Sequence, residues 1–166
     1  MYIKELEVDN FKSFANNVTI PFRKGFTTIG GPNGSGKSNI IDSILFALGL
    51  ANARSLRMEQ LSDFISTHTN KNEAFVKVVL GAEKDDEENI SVARKIKKSS
   101  QGYNSVYYMN DKVTTQTEIL AKLEKYRITP NSYNVVMQSD VMSITNCSNT
   151  KRREIIDELA GIGDFN

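Results

Sequence analysis

The run GGPNGSGKSN at residues 30–39 constrains this chain more than any other stretch. It sets four glycines in seven positions, then a lysine and a serine, then Ile40, Ile41, Ile44, Leu45 and Leu48 at helical spacing. Gly31-x4-Gly36-Lys37-Ser38 is the Walker A pattern. A phosphate chain is wrapped by backbone N–H groups, and any Cβ would block that approach. Glycine removes the Cβ and permits positive φ. The following helix presents its N-terminal N–H groups and positive dipole end to the anion. Lys37 reaches the β- and γ-phosphates, and the Ser38 hydroxyl is suited to ligate Mg²⁺. The candidate nucleotide-binding residues are Gly31, Pro32, Asn33, Gly34, Ser35, Gly36, Lys37, Ser38 and Asn39. Asn33 is a candidate for the γ-phosphate, and Asn39 for a phosphate contact or for ordering the turn. The glycine spacing is wrong for G-x-G-x-x-G, and a dinucleotide reading leaves Lys37 and Ser38 unexplained.

Around this loop the pattern predicts strands at 2–9, 18–22 and 26–30, the last two joined by RKG. A helix is expected over 36–48, stopped by Gly49. A strand follows at 74–80, then a hairpin of 90–97 and 103–109 bent at KSSQG. Thr115 and Glu118 form a capping-box pattern that opens a helix to about Tyr126, and Pro130 ends that region. NVVMQ reads as a short strand. SNTKRREIIDELAG reads as a final helix with Ile155, Ile156 and Leu159 inward. The chain stops at GIGDFN without a clear closing element, as though cut from something longer.

At 166 residues the chain suits one domain, and its formal net charge of +1 gives no strong overall pull on nucleic acid or membrane. A local basic patch is still compatible with that total. No apolar run is long enough to span a bilayer, and MYIKELEVDN carries charges where a signal peptide needs an apolar core. The lone Cys147 cannot form an intrachain disulfide, which fits a reducing cytoplasm. A working phosphoryl-transfer site also needs an acid after an apolar strand. IIDE at 155–158 has the letters but sits in the helical pattern REIIDELAG, and the acids of VVLGAEKDD come too far past their strand. No LSGG-like turn is present. The residues read as a nucleotide-binding half without a hydrolytic half.

Several further motifs occur in a fixed order. Phe11-Lys12-Ser13-Phe14 follows the first strand, GPNGSGKSNIIDSILFALG spans 31–49, and Ser55-Leu56-Arg57 precedes LSDFI. NVVMQSDV carries Gln138, and KRREIIDELAGI follows it. Together they make essentially the whole chain resemble the N-terminal half of the ATPase head of a prokaryotic SMC (structural maintenance of chromosomes) protein. The resemblance implies an α/β, ABC-type P-loop NTPase head, here its N-terminal lobe with a mixed or antiparallel sheet and a P-loop helix. It implies a single lobe over 1–166: a P-loop core to about residue 80, a hairpin and helix to about 130, then a Q-loop and a helix leading towards a coiled coil. ATP and Mg²⁺ are the implied cofactors. The implied partners are the C-terminal head lobe of the same full-length protein, a second identical head, DNA and a kleisin-type subunit, with no membrane. The expected location is the cytoplasm, on the nucleoid. In such proteins head engagement and hydrolysis drive DNA entrapment or loop extrusion, and the Walker B acids lie in the C-terminal half. This chain is therefore expected to bind ATP without hydrolysing it alone.

The resemblance also implies residue roles. Gln138 matches the Q-loop glutamine, which joins the Mg²⁺ shell and faces the attacking water. Ser139 follows it where the family usually has glycine. Arg57 matches an arginine near the nucleotide, DNA or the partner head. Lys12 falls where the family puts a basic residue beside the phosphates, with a solvated turn lysine as the alternative. Phe11 and Phe14 read as core. Lys151, Arg152 and Arg153 read as contacts to DNA phosphates or to the partner lobe, or as a solvated face, and Arg94, Lys95, Lys97 and Lys98 on the hairpin read as DNA contacts or as a solvated face. His68 and Cys147 read as bystanders. Two other functions compete: a related recombination or double-strand-break repair ATPase, and a small-molecule P-loop kinase, which would need its own acid and an arginine-rich lid.

Overall fold

Alternation of apolar and polar side chains builds the sheet. In β1 (Tyr2–Asp9) Leu6 and Val8 turn inward, and in β3 (Glu73–Gly81) so do Ala74, Val76, Val78 and Leu80. The computed structural model describes residues 1–53, 56, 58–82, 88–129, 148–150, 152, 153 and 156. The chain falls into two compact units, Met1–Pro130 and Asn131–Asn166.

In the first unit, β2 (Val18–Pro21), β4 (Ile90–Ser99), β5 (Gly102–Met109) and β6 (Lys112–Thr114) complete a six-stranded sheet of order β2-β1-β3-β4-β5-β6. Each neighbouring pair is antiparallel. The α1 helix (Lys37–Leu48) packs on β3 and β4, burying Ser43, Leu45, Phe46, Ala47 and Leu48. Burial of a side chain the size of Phe46 contributes about 1.5–3 kcal/mol. Phe46 also joins Phe11 and Phe64 in a ring cluster, with centroids 5.0–5.4 Å apart. Gly49 ends α1 at φ 69°, and the Leu50 N–H closes back on the Leu45 carbonyl at 3.0 Å. The α2 helix (Gln116–Glu124) opens on the expected box: the Glu118 N–H donates to Thr115 Oγ1, and the Glu118 carboxylate accepts from the Thr115 N–H.

Four expectations change. FTTIG at 26–30 is not a strand. A strand needs a neighbour to take its N–H and C=O groups, and among the described residues no backbone hydrogen bond reaches this segment. Phe26 is 97% exposed. Second, β6 was not anticipated. It follows a turn in which Asn110 and Asp111 both take positive φ, a conformation these two residues tolerate. Third, Phe14 is not core but half-buried; in α1, Ile41 of the apolar set turns outward. Fourth, in the second unit Asn149, Thr150, Arg152, Arg153 and Ile156 are helical as expected, but Ile156 is exposed. Successive helix positions are about 100° apart, so neighbouring isoleucines cannot share one inward line. The expected strand NVVMQ lies outside the described residues.

Candidate phosphate-binding site

The phosphate loop leaves residue 30 and enters α1 at Lys37. Gly34 (φ 81°) and Gly36 (φ 89°) hold the left-handed conformations that glycine alone adopts without strain. A Cβ on Gly31 would stand 2.8 Å from Ser35 Oγ, and one on Gly36 2.9 Å from Ser13 Oγ. Among the described residues, the amides of Gly34, Gly36, Lys37 and Ser38 have no hydrogen-bond acceptor. Ser35 N–H donates to the Pro32 carbonyl and Asn39 N–H to that of Gly36. No side chain caps α1, and no acid sits in its first turn. The loop is exposed, and the Ser38 hydroxyl beside it is exposed as well. Lys37 folds back, its Nζ donating to the carbonyls of Gly31 (2.8 Å) and Pro32 (2.6 Å).

A second segment braces this cradle. Asn10, buried and at φ 53°, ends β1 and donates to the Glu73 carbonyl at 2.6 Å while accepting from Thr69 Oγ1. That turn delivers Phe11–Phe14. Asn39 Nδ2 donates to Ser13 Oγ at 2.7 Å, so the Asn39 amide orders the loop. Lys12 Nζ is engaged by Asp42 Oδ2 at 2.6 Å and by the Leu56 carbonyl at 3.2 Å, and it lies 5.3 Å from the centre of the Phe64 ring. Sequence reasoning missed Asn10, Ser13 and Asp42 as positioning residues. The motif spacing carries no sign of their long-range partners.

The open amides, the clearance left by glycine and the acid-free helix start fit a polyphosphate. Among the described residues no group of three or more His, Cys, Asp or Glu could hold a metal. A Mg²⁺ ion at this point would rely on the Ser38 hydroxyl and on phosphate oxygens. Of the expected site residues, Lys12, Gly31, Pro32, Asn33, Gly34, Ser35, Gly36, Lys37, Ser38 and Asn39 come together at one end of α1 and the turn that braces it. Arg57 and Gln138 lie outside the described residues, as do Ser139, Cys147 and Lys151.

The hairpin cations divide. Lys95 pairs with Glu73 at 2.8 Å, and Lys97 and Lys98 are exposed. Arg94 is neither a DNA-facing nor a solvated side chain. It is 6% exposed and lies over the Phe46 and Tyr107 rings, its guanidinium carbon 4.5 and 4.6 Å from the ring centres. Burial lowers the Arg94 pKa and raises that of the Tyr107 phenol. The register held the signal, because Arg94 alternates with Ile90, Val92 and Ile96 on the inward face of β4.

A glycine-framed turn running into a lysine–serine helix start on an α/β frame defines a P-loop nucleotide-binding fold. Residues 2–144 match the RecF/RecN/SMC N-terminal domain, and the chain belongs to that family. It is 40% identical to the chromosome partition protein Smc of Synechocystis sp. over 188 aligned residues, which cover 99% of this chain and 16% of that relative. The chain thus spans about a sixth of that relative's length. Two solved structures superpose closely. One comes from a study of ATP-driven dimerization and DNA-stimulated activation of SMC ATPases: TM-score 0.82, 39% identity, covering 96% of this chain and 99% of that one. The other is an Smc head domain with an extended coiled coil, bound to the C-terminal domain of ScpA and derived from Pyrococcus furiosus. Its TM-score is 0.85 at 39% identity, covering 99% of this chain and 43% of that one. The fold is that of the N-terminal part of an ABC-type ATPase head. No helix among the described residues is long and apolar enough to cross a membrane.

Proposed function

We propose that this chain is the ATP-binding lobe of an SMC-type head and that, alone, it binds Mg²⁺–ATP without hydrolysing it. The carrying observation is the cradle: positive-φ Gly34 and Gly36, four amides without acceptors, and Lys37 at an acid-free helix start. In this reading Gly31–Gly36 wrap the phosphates with main-chain N–H groups, with Asn33 at the γ-phosphate. Lys37 exchanges the carbonyls of Gly31 and Pro32 for phosphate oxygens. Ser38 Oγ ligates the metal, which when bound neutralises charge on the β- and γ-phosphates. Gln138 completes the metal shell and orients water, and Arg57 bonds phosphate, DNA or the partner head. Lys12 stands beside the phosphates through its loop, with its ammonium given to Asp42.

The groups that split ATP belong, in this proposal, to a C-terminal lobe of the same full-length protein. Residues 26–30, without a strand neighbour among the described residues, and the outward Phe26, Ile29 and Ile41 support that lobe as their cover. Likeness to Smc heads supports pairing with a second identical head, a kleisin-type subunit and DNA. It also supports a role in DNA entrapment or loop extrusion during chromosome condensation and segregation, on the nucleoid in the cytoplasm. The identity to a chromosome partition protein favours this over a recombination or break-repair head from the same family. The test is ATP turnover by the pure chain with and without a separately supplied C-terminal lobe. Negligible turnover alone and turnover on mixing are expected. Robust turnover by the chain alone would overturn the half-site reading.

A further inference from the structure

At the end of α1 remote from the phosphate loop lies a cavity of about 550 Å³, bordered by Gly49, Leu50, Leu61, Arg94, Tyr103 and Gln116. That volume is in the range of small-molecule sites, which run from roughly 300 to 1,000 Å³. We propose that this cavity is a second ligand site, which takes a small molecule bearing one carboxylate on an apolar or aromatic body.

Arg94 carries the argument. Its guanidinium carbon lies over the Phe46 and Tyr107 rings, 4.5 and 4.6 Å from their centres, which holds the group in place. Nε donates to Ser105 Oγ at 2.9 Å, and Nη1 reaches the Phe46 carbonyl at 3.4 Å. An arginine has five N–H donors, so these two bonds leave part of the fork unused. Among the described residues, Tyr107 Oη is the one buried side-chain polar atom without a partner. Among the described residues no Arg94 nitrogen is both buried and without a partner, and Arg94 borders the cavity. No carboxylate pairs with Arg94 among the described residues. The negative end of α1, at the Phe46 carbonyl, offsets only part of its charge. A carboxylate matches the guanidinium edge in shape and supplies the missing charge. Tyr107 Oη lies beside Gly49, where a Cβ would come within 3.3 Å of it, and is itself buried.

The remaining walls set the rest of the ligand. Leu50, Leu61 and the Tyr103 ring, which is 46% exposed, give an apolar bed. Glu59 on the lining opposes a second negative charge, and among the described residues Arg94 is the only cationic side chain that borders the cavity. A single carboxylate therefore fits better than a polyphosphate. The Gln116 amide is tied to the Gly49 carbonyl at 2.8 Å, fixing the mouth between α1 and α2. This site does not depend on the ATP reading, because the 12 residues of α1 put about 18 Å between its ends.

The experiment is a titration of the isotopically labelled chain followed by NMR, with benzoate, benzamide and phenyl phosphate as probes. Benzoate is expected to move the amides of Gly49, Leu50 and Gln116 saturably, with a Kd of roughly 1 mM. Benzamide has the same shape without the charge and is expected to bind at least tenfold more weakly. Arg94→Met is expected to weaken benzoate at least tenfold. Leu61→Trp, which fills the cavity and keeps Arg94, is expected to abolish the shifts while the chain stays folded. If Arg94→Met does not fold, Leu61→Trp decides. The proposal is overturned by no saturable shift up to about 20 mM benzoate, by benzamide binding equally well, by phenyl phosphate binding more tightly, or by Leu61→Trp leaving the shifts intact.

Discussion

Lys12 Nζ lies 2.6 Å from Asp42 Oδ2, and the two side chains are only 7% and 15% exposed. This pair clamps the turn after β1 to the middle of α1, and the turn carries Ser13 beneath Gly36. Removing one partner of a buried ion pair typically costs about 3–5 kcal/mol, because the other charge is stranded. Asp42→Ala is therefore expected to lose about 3 kcal/mol of unfolding free energy in a urea titration. Lys12→Met combined with Asp42→Ala should recover part of that loss. A single Asp42→Ala variant as stable as the parent would mean that the pair does not clamp the turn.

Lys37 is held by two loop carbonyls, and it must leave them to meet a phosphate. Each charge-assisted hydrogen bond it then makes contributes roughly 1.5–3 kcal/mol. Lys37→Ala is expected to weaken Mg²⁺–ATP binding by at least tenfold in titration calorimetry, with the fold intact. Lys12→Met should weaken it by less, since the Lys12 ammonium is spent on Asp42. The reverse order of effects would move the phosphate contact from Lys37 to Lys12.

Gly36 faces two obstacles to a side chain: its φ of 89° and the nearby Ser13 Oγ. Gly36→Ala is expected to lose nucleotide binding. Adding Ser13→Ala should restore only part of it, because the left-handed backbone still costs about 1–2 kcal/mol for a residue with a Cβ. Full rescue by Ser13→Ala would show that space, not backbone conformation, selects glycine here.

Two carboxylates tie stability to pH. The hydrogen bond from Lys95 holds Glu73 below its ordinary value of 4.5, and the Thr114 hydroxyl does the same for Glu118, followed by the Thr115 N–H. Both folded values are depressed. Their contributions are thus fully present above about pH 4.5 and fade as the pH falls through the folded values. The melting temperature of the parent should drop between pH 5 and pH 3 more steeply than that of a Glu73→Gln, Glu118→Gln double variant. Identical profiles would remove these two groups from the acid response.

What the residues disclosed follows the range of the forces involved. The phosphate loop and the Thr115–Glu118 box were legible because glycine's missing Cβ and a cap's hydrogen bonds act within a few positions. β1, β3 and the β4–β5 hairpin were legible from their period of two. FTTIG carried the same local pattern but has no neighbouring strand among the described residues, and pairing is not a local property. Arg94 was read as a surface charge, although its register with Val92 and Ile96 already put it inside. The links from Lys12 to Asp42 and from Asn10 to Glu73 span 30 and 63 positions, and no spacing rule reaches that far.

The central claim is that main-chain amides of the glycine turn hold the triphosphate. It is tested most directly by the amide NMR shifts of Gly34, Gly36, Lys37 and Ser38 as Mg²⁺–ATP is added. The account predicts large saturable shifts at these four amides, lost in Lys37→Ala at the same nucleotide concentration. Four unmoved amides at saturating ATP, or binding that perturbs another face of the lobe, would contradict it.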